Sequence, residues 1–344
     1  MAVALACPDK FRGTLTAADA AEAMARGLEQ AKFDEVRRLP LADGGEGTLD
    51  TLLAARGGSR RRATVTGPLG APVEAEWGVL PDGTAVIECA RASGLALLDG
   101  PNDPLHATSR GTGELIGAAV RVGARRILVA AGGSAMTDGG LGAVDALGWS
   151  LAGLDVTVAC DVEIPFVDAA ARFGPQKGAT PAQVALLTRR LERLAAVYRE
   201  RTGADVTGLR HAGAAGGLAG GLGALGARLE PGFDVVARAS GLEGALAGVD
   251  LVVTGEGRLD RSSFEGKVPG GVLEWAEADG VPHRAVIAGQ VSGFEQGELP
   301  PEVLVLALTD RVWQAGEAFA RAGTLVEEAA VEAGRWAMAR MGAR

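Results

Sequence analysis

Two carboxylates set among three glycines, Asp43 and Glu46 in Ala42-Asp43-Gly44-Gly45-Glu46-Gly47-Thr48, carry the clearest chemical signal in the chain. Glycine lets the backbone turn sharply and come close to a ligand. Carboxylates in such a place can hold a metal ion or take a proton from a hydroxyl. Two further stretches repeat the pattern: Gly132-Gly133-Ser134-Ala135-Met136-Thr137-Asp138-Gly139-Gly140 and Thr254-Gly255-Glu256-Gly257-Arg258-Leu259-Asp260. Each follows a strand-like segment, and ligands of parallel α/β sheets gather beyond the carboxyl ends of strands. Three such loops point to one shared polar site. The competing assignment for Asp43, Asp138 and Asp260 is a helix cap, the ordinary role of an aspartate before a helix.

Cationic groups come next. Only four of the 34 basic residues are lysines, namely Lys10, Lys32, Lys177 and Lys267. Lys177 and Lys267 adjoin glycine, where a compact ammonium donor beside flexible backbone suits a phosphate. A solvated loop lysine is the plainer assignment for each. Thr108-Ser109-Arg110-Gly111-Thr112 places hydroxyls and a guanidinium at a helix start, which suits an anion, although an ordinary cap uses the same residues. Gly221-Leu222-Gly223-Ala224-Leu225-Gly226 spells G-x-G-x-x-G, but no strand leads into it and 52 glycines make chance matches common, so no dinucleotide is assigned there. Gly266-Lys267 is followed by Val268 and lacks the upstream glycine of a P-loop, so a nucleotide would bind without one. His106, His211 and His283 are too scattered for a metal-ligand pattern.

These residues need elements to position them. At 344 residues the chain is long enough for two cores. Hydrophobic residues at 47% and charged residues at 22% fit a globular protein, and a net charge of −9 argues against nucleic-acid binding as the main role. Cys7, Cys89 and Cys160 show no C-x-x-C spacing and read as buried free thiols in a reducing compartment. With no signal-peptide pattern and no run of about 18 apolar residues, the expectation is a cytoplasmic protein without a membrane partner. Strand-like runs alternate with helical patterns, giving an α/β protein with a largely parallel sheet. Strands are expected at 2–7, 36–41, 126–131, 154–160, 249–254, 284–288 and 303–308. Helices are expected at 16–30, 113–122 and 181–200, with a helical tail from about 317. Between them, 63–66, 72–80 and 84–89 are short strands joined by Gly67-Pro68-Leu69-Gly70 and Pro81-Asp82-Gly83, the chemistry of antiparallel hairpins. That change of character places a domain boundary near residue 62.

With these motifs in order along most of the chain, the sequence resembles the bacterial-type glycerate kinases that lack a P-loop. The resemblance rests on Cys7-Pro8-Asp9-Lys10-Phe11-Arg12-Gly13-Thr14-Leu15, the Asp43 loop, Thr66 to Gly70, Ala107 to Ile116, and Gly132 to Gly140. Ala159-Cys160-Asp161-Val162, Phe173 to Ala179, Gly213 to Gly217 and Thr254 to Pro269 complete it. It fades beyond about residue 295. The family usually has lysine at Arg12, asparagine at Thr137 and glutamine at Ser262. It also has a longer segment between Leu147 and Val158, and an Asn-Pro-Leu pattern where Glu163 to Phe166 stands. These departures bear on substrate fit near Asp161.

The resemblance implies an enzyme using ATP and Mg²⁺ to phosphorylate D-glycerate, with 2-phosphoglycerate as product. It also implies two α/β domains with the site in the cleft between them. One domain is flavodoxin-like and formed by both chain ends (1–62 and 283–344); the other, with mixed strands, is inserted (63–282). Asp43 or Asp138 would accept the proton or serve the metal, with Glu46 and Asp260 as metal partners. Lys267, with Lys10 and Arg12, would neutralise phosphates or the glycerate carboxylate. Ser134 and the Gly132 and Gly133 amides would hold phosphate oxygens. Asp9, Ser109, Arg110, Asp161, Lys177 and Glu256 complete the set of substrate- and nucleotide-binding positions. A kinase for another small hydroxy acid, a non-catalytic small-acid binder and a nicotinamide dehydrogenase are the alternatives; a homo-oligomer is left open.

Overall fold

The computed structural model describes residues 1–294, 302–313 and 315–342. Eleven strands are present among them: β1 (Val3–Ala6), β2 (Glu35–Arg38), β3 (Ser59–Thr66), β4 (Pro72–Val79), β5 (Ala85–Glu88), β6 (Arg126–Ala130), β7 (Asp155–Cys160), β8 (Arg228–Pro231), β9 (Leu251–Leu259), β10 (His283–Val291) and β11 (Val303–Ala307). They form two sheets, and the chain divides into two units, Met1–Asp43 with Val236–Arg344, and Gly44–Val235.

The first unit holds a five-stranded sheet in the order β11-β10-β9-β1-β2, every neighbour parallel. Counted within the unit this is the 2-1-3-4-5 order of flavodoxin-like sheets, whose ligands sit where the order reverses, here between β1 and β9. The flavodoxin-like expectation therefore holds. Helix Ala17–Gln30 starts as the sequence indicates, with Thr16 Oγ1 accepting from the Asp19 amide at 3.1 Å. Its apolar positions Ala17, Ala20, Ala21, Met24 and Leu28 recur at helical spacing and are buried. Ala20, Met24 and Leu28 pack into the same core as helix Ala322–Met341, which supplies Leu325, Val326, Ala329, Ala330 and Ala333. Gly27 makes that crossing close, since a Cβ there would lie 2.3 Å from the Glu327 carbonyl oxygen.

The second unit holds a six-stranded mixed sheet, β3-β4-β5-β6-β7-β8. The expected hairpins are present, with β3-β4 and β4-β5 antiparallel, while β5 to β8 run parallel. Helix Pro181–Thr202 opens on a full capping box, Thr180 with Gln183, and covers a core containing Phe166, Leu187, Leu191 and Tyr198.

Two differences from the sequence expectation have clear causes. The Thr254 to Asp260 stretch is not a loop: β9 runs through it to Leu259 and pairs with β10 as far as Val291. Its glycines serve the sheet, because a Cβ at Gly255 would meet the Ile287 carbonyl oxygen at 2.1 Å and one at Gly257 the Arg12 nitrogen at 3.0 Å. The unit divisions fall at 43/44 and 235/236 rather than at 62/63 and 282/283. The hairpins that mark the change of composition are thus already inside the second sheet, and β9 belongs to the first. No helix among the described residues is long and apolar enough to cross a membrane.

Candidate active site

In the first unit the backbone beyond β1 and β2 gathers carboxylates at the β1/β9 switch point. After β1, Cys7 and Asp9 keep donating their amides to the Val253 and Gly255 carbonyls at 2.9 and 2.8 Å, which carries Asp9 along β9 toward Glu256. After β2, Leu41 donates to the Pro8 carbonyl at 2.9 Å, which brings the chain to Asp43. Burial raises the Asp9 pKa to about 7, with the negative charges of Asp43 and, more weakly, Glu256 adding to it; Lys10 and its amide, which donates to Asp9 Oδ1 at 2.7 Å, oppose the rise. Glu256 is raised too, first by burial and then by Asp260 and Asp43, against a hydrogen bond from Ser263 and the charge of Lys267. Its Oε1 is buried without a hydrogen-bond partner. Asp260 caps the turn Arg261–Phe264, where Oδ1 accepts from the Ser262 amide at 2.9 Å and hydroxyl at 2.6 Å. Ser262 in turn accepts from Lys267 Nζ at 2.7 Å. Asp9, Lys10, Asp43, Glu256, Asp260 and Lys267 thus form one polar group, with Arg12 exposed in the loop beyond Lys10.

In the second unit the loops lie at the carboxyl ends of β5, β6 and β7. Asp138 is fully engaged: Oδ2 accepts from the Ser109 amide and hydroxyl, both at 2.8 Å, and from the Gly142 amide at 3.2 Å, while Oδ1 accepts from the Gly140 amide at 3.0 Å. The anion received by the helix start at Ser109 is therefore the Asp138 carboxylate. Arg110 pairs with Glu114 at 3.0 Å. The Gly132 carbonyl accepts from Cys89 Sγ at 3.1 Å and the Gly133 carbonyl from the Leu95 amide at 3.1 Å. Because a trans peptide sets N–H opposite C=O, the amides of Gly133 and Ser134 face away from those partners. Lys177, expected at a phosphate or in solvent, is 3% exposed and donates to Ser134 Oγ at 2.9 Å and to the Met136 carbonyl at 2.6 Å. Burial lowers its pKa to about 8, against the pull of Cys89, Asp138 and Asp161.

A profile described as the glycerate kinase family matches residues 4–153 and 149–338. Glycerate 2-kinase of Escherichia coli K12 is 43% identical over 307 residues, covering 78% of this chain and 81% of that protein. Glycerate kinase of Bacillus subtilis 168 is 42% identical over 322 residues, 83% of this chain and 84% of that one. The chain belongs to the glycerate kinase family. A crystal structure from Salmonella typhimurium LT2, provisionally named glycerate kinase 2, superposes with a TM-score of 0.82 at 33% identity over 99% of both chains. The protein is an enzyme of that family, a phosphotransferase.

Phosphoryl transfer needs charge neutralisation, alignment and a group near the attacking hydroxyl, normally with a divalent ion on the phosphates. Among the described residues no three His, Cys, Asp or Glu side chains are arranged to hold a metal by themselves. Mg²⁺ rarely needs such a set, since one or two carboxylates, water and substrate phosphates suffice. Crowded hard oxygens, with Asp9 raised and Glu256 Oε1 unpartnered, fit that ion. Asp43 and Asp260 share the first unit, whereas Glu46, exposed in its loop, belongs to the second.

One supporting residue escaped the sequence reading. Glu88, 1% exposed at the end of β5, accepts from the Gly47 and Leu49 amides at 2.9 and 2.8 Å and pairs with Arg91 at 2.6 Å. It fixes the Gly44–Gly47 loop at the start of helix Thr48–Arg56. The same loop is held from another side, because a Cβ at Gly132 would lie 2.7 Å from Gly45 Cα. The G-x-G-x-x-G match falls largely in the short helix Leu218–Ala224, and its Gly221 packs on Gly139 and Gly140.

Proposed function

We propose that the protein transfers the γ-phosphoryl group of ATP to D-glycerate, yielding 2-phosphoglycerate. The carboxylate group around Asp9, Asp43 and Glu256 at a flavodoxin-type switch point carries this reading. Asp43, with Asp260, would hold Mg²⁺, which supplies neutralisation of phosphate charge when bound. Asp43 is favoured over Asp138 as the proton acceptor for the attacking hydroxyl, because both Asp138 oxygens already hold loop amides together. Asp9, with its pKa near neutrality, is suited to take the proton onward. Lys267 and Lys10 neutralise phosphate or carboxylate charge, and Ser134 with the neighbouring amides offers donors to anionic oxygens. The name of the Escherichia coli relative, glycerate 2-kinase, supports the 2-phosphorylated product.

The test is ADP release from Mg-ATP with D-glycerate, L-glycerate, glycolate, lactate and tartronate, with the product identified by NMR. Turnover confined to D-glycerate is expected, and silence on it overturns the reading. Turnover on another acid alone would make the protein a kinase for a different hydroxy acid. The segment after Asp161 is where that change would lie, since Glu163 pairs there with Arg210 at 2.5 Å.

A further inference from the structure

Resting on the kinase reading of this site, we infer that Lys177 is a positioning residue that forces the Ser134 hydroxyl to act as a hydrogen-bond donor to a substrate oxyanion. The argument is one of donor and acceptor counting. An ammonium has three donors and no acceptor, whereas a hydroxyl has one donor and two acceptor sites. Lys177 Nζ donates to Ser134 Oγ at 2.9 Å, so the hydroxyl proton cannot point back at the nitrogen. Among the described residues Ser134 Oγ has no other hydrogen bond, so its proton is available outside the protein's own network. The second Lys177 bond, to the Met136 carbonyl at 2.6 Å, fixes the ammonium against the same glycine-rich loop. Lys177 itself is buried, so its hydrogen-bonded route toward a ligand runs through Ser134.

The arrangement reverses when the lysine loses its proton. A neutral amine accepts, the Ser134 proton turns inward, and the oxyanion loses its donor. Three groups face the ammonium, Cys89 from the end of β5, Asp138 from the glycine-rich loop and Asp161 from the end of β7; the two carboxylates favour its charged form against the effect of burial, while the Cys89 thiol is itself kept protonated by burial. Binding of an anion is therefore full below about 8 and weakens as pH rises through that value.

The experiment compares wild type, Ser134→Ala and Lys177→Met between pH 6.5 and 9.5. Sulfate is the calorimetric probe, because its charge is constant over that range, and KM and kcat for Mg-ATP and D-glycerate are measured beside it. Wild type should show an alkaline loss of sulfate affinity centred near 8. Ser134→Ala should bind sulfate about tenfold more weakly and show no alkaline loss, since the hydroxyl through which Lys177 acts is gone. Lys177→Met should likewise show no alkaline loss, and should bind sulfate more weakly than wild type because nothing then holds the hydroxyl proton outward. An alkaline loss that persists in Ser134→Ala would mean the lysine acts by direct charge and would overturn the proposal, as would unchanged affinity in Lys177→Met. If Lys177→Met fails to fold, the profile of Ser134→Ala alone decides. Sulfate binding is read without turnover, so an inactive enzyme with the expected profiles refutes the kinase reading and leaves the hydroxyl switch standing.

Discussion

Asp43 and Asp9 answer different questions at the scale of single residues. Removing the charge of Asp43 while keeping its shape, as in Asp43→Asn, should lower kcat by about 100-fold or more if it receives the proton. Far-UV circular dichroism should be unchanged; near-normal turnover would remove Asp43 from that role. Asp9 bears on stability. An acid whose pKa is raised on folding holds its proton more tightly in the folded chain. Its ionisation therefore costs stability, which is full at low pH and declines as pH climbs from the ordinary aspartate range toward about 7. Asp9→Asn should raise Tm at pH 7.5 by about 2–4 °C without Mg²⁺, and the gain should vanish near pH 4. A gain that is the same at both pH values would show that the charge of Asp9 is not what the folded chain resists. The sequence marks Asp43, Asp138 and Asp260 alike as candidates, but not their division into crowded and fully bonded groups. It depends on amides that lie far away along the chain, such as Ser109 for Asp138.

Elements decide how firmly those residues are held. Glu88 is the clearest case, because one buried carboxylate satisfies two amides at a helix start and an arginine at once. Glu88→Ala leaves Gly47 and Leu49 without their acceptor and Arg91 without its buried partner, and should cost about 3 kcal/mol in urea unfolding. Loss of turnover should accompany it even where the fold survives, since the Gly44–Gly47 loop is released. The residue is invisible in the sequence because Ala85 to Cys89 reads as an ordinary strand end, and the amides it accepts from lie about forty positions earlier. Helix starts with local partners were readable, as Thr16 with Asp19 and Thr180 with Gln183 show. β9 outruns its sequence signal for the opposite reason: Gly255 and Gly257 have poor strand propensity, and their value lies in the close approach of backbone from β10 and from Arg12.

For the molecule as a whole, the alternation of strands and helices revealed an α/β protein, and the hairpin signals revealed the second sheet. The unit divisions were harder to read, because β9 carries no compositional mark of the sheet it joins. The second unit is continuous in sequence and has its own core. A fragment spanning 44–240, which keeps helix Gly232–Ser240 whole, should therefore show native-like circular dichroism and cooperative unfolding. The first unit takes its core from both chain ends. Removing helix Ala322–Met341 should leave it without cooperative structure, visible as a lost transition in calorimetry.

The three cysteines, all free and buried, Cys7 in the first unit and Cys89 and Cys160 in the second, lie at the ends of their strands, and burial raises the pKa of each. Thiols so protected hardly react with iodoacetamide while the chain is closed, because the thiolate is the nucleophile. Alkylation followed by mass spectrometry is therefore a stopwatch with separate hands for the two units. Glu88→Ala should quicken the labelling of Cys89 and Cys160 while Cys7 keeps its pace, and Asp9→Asn at pH 7.5 should slow Cys7 alone.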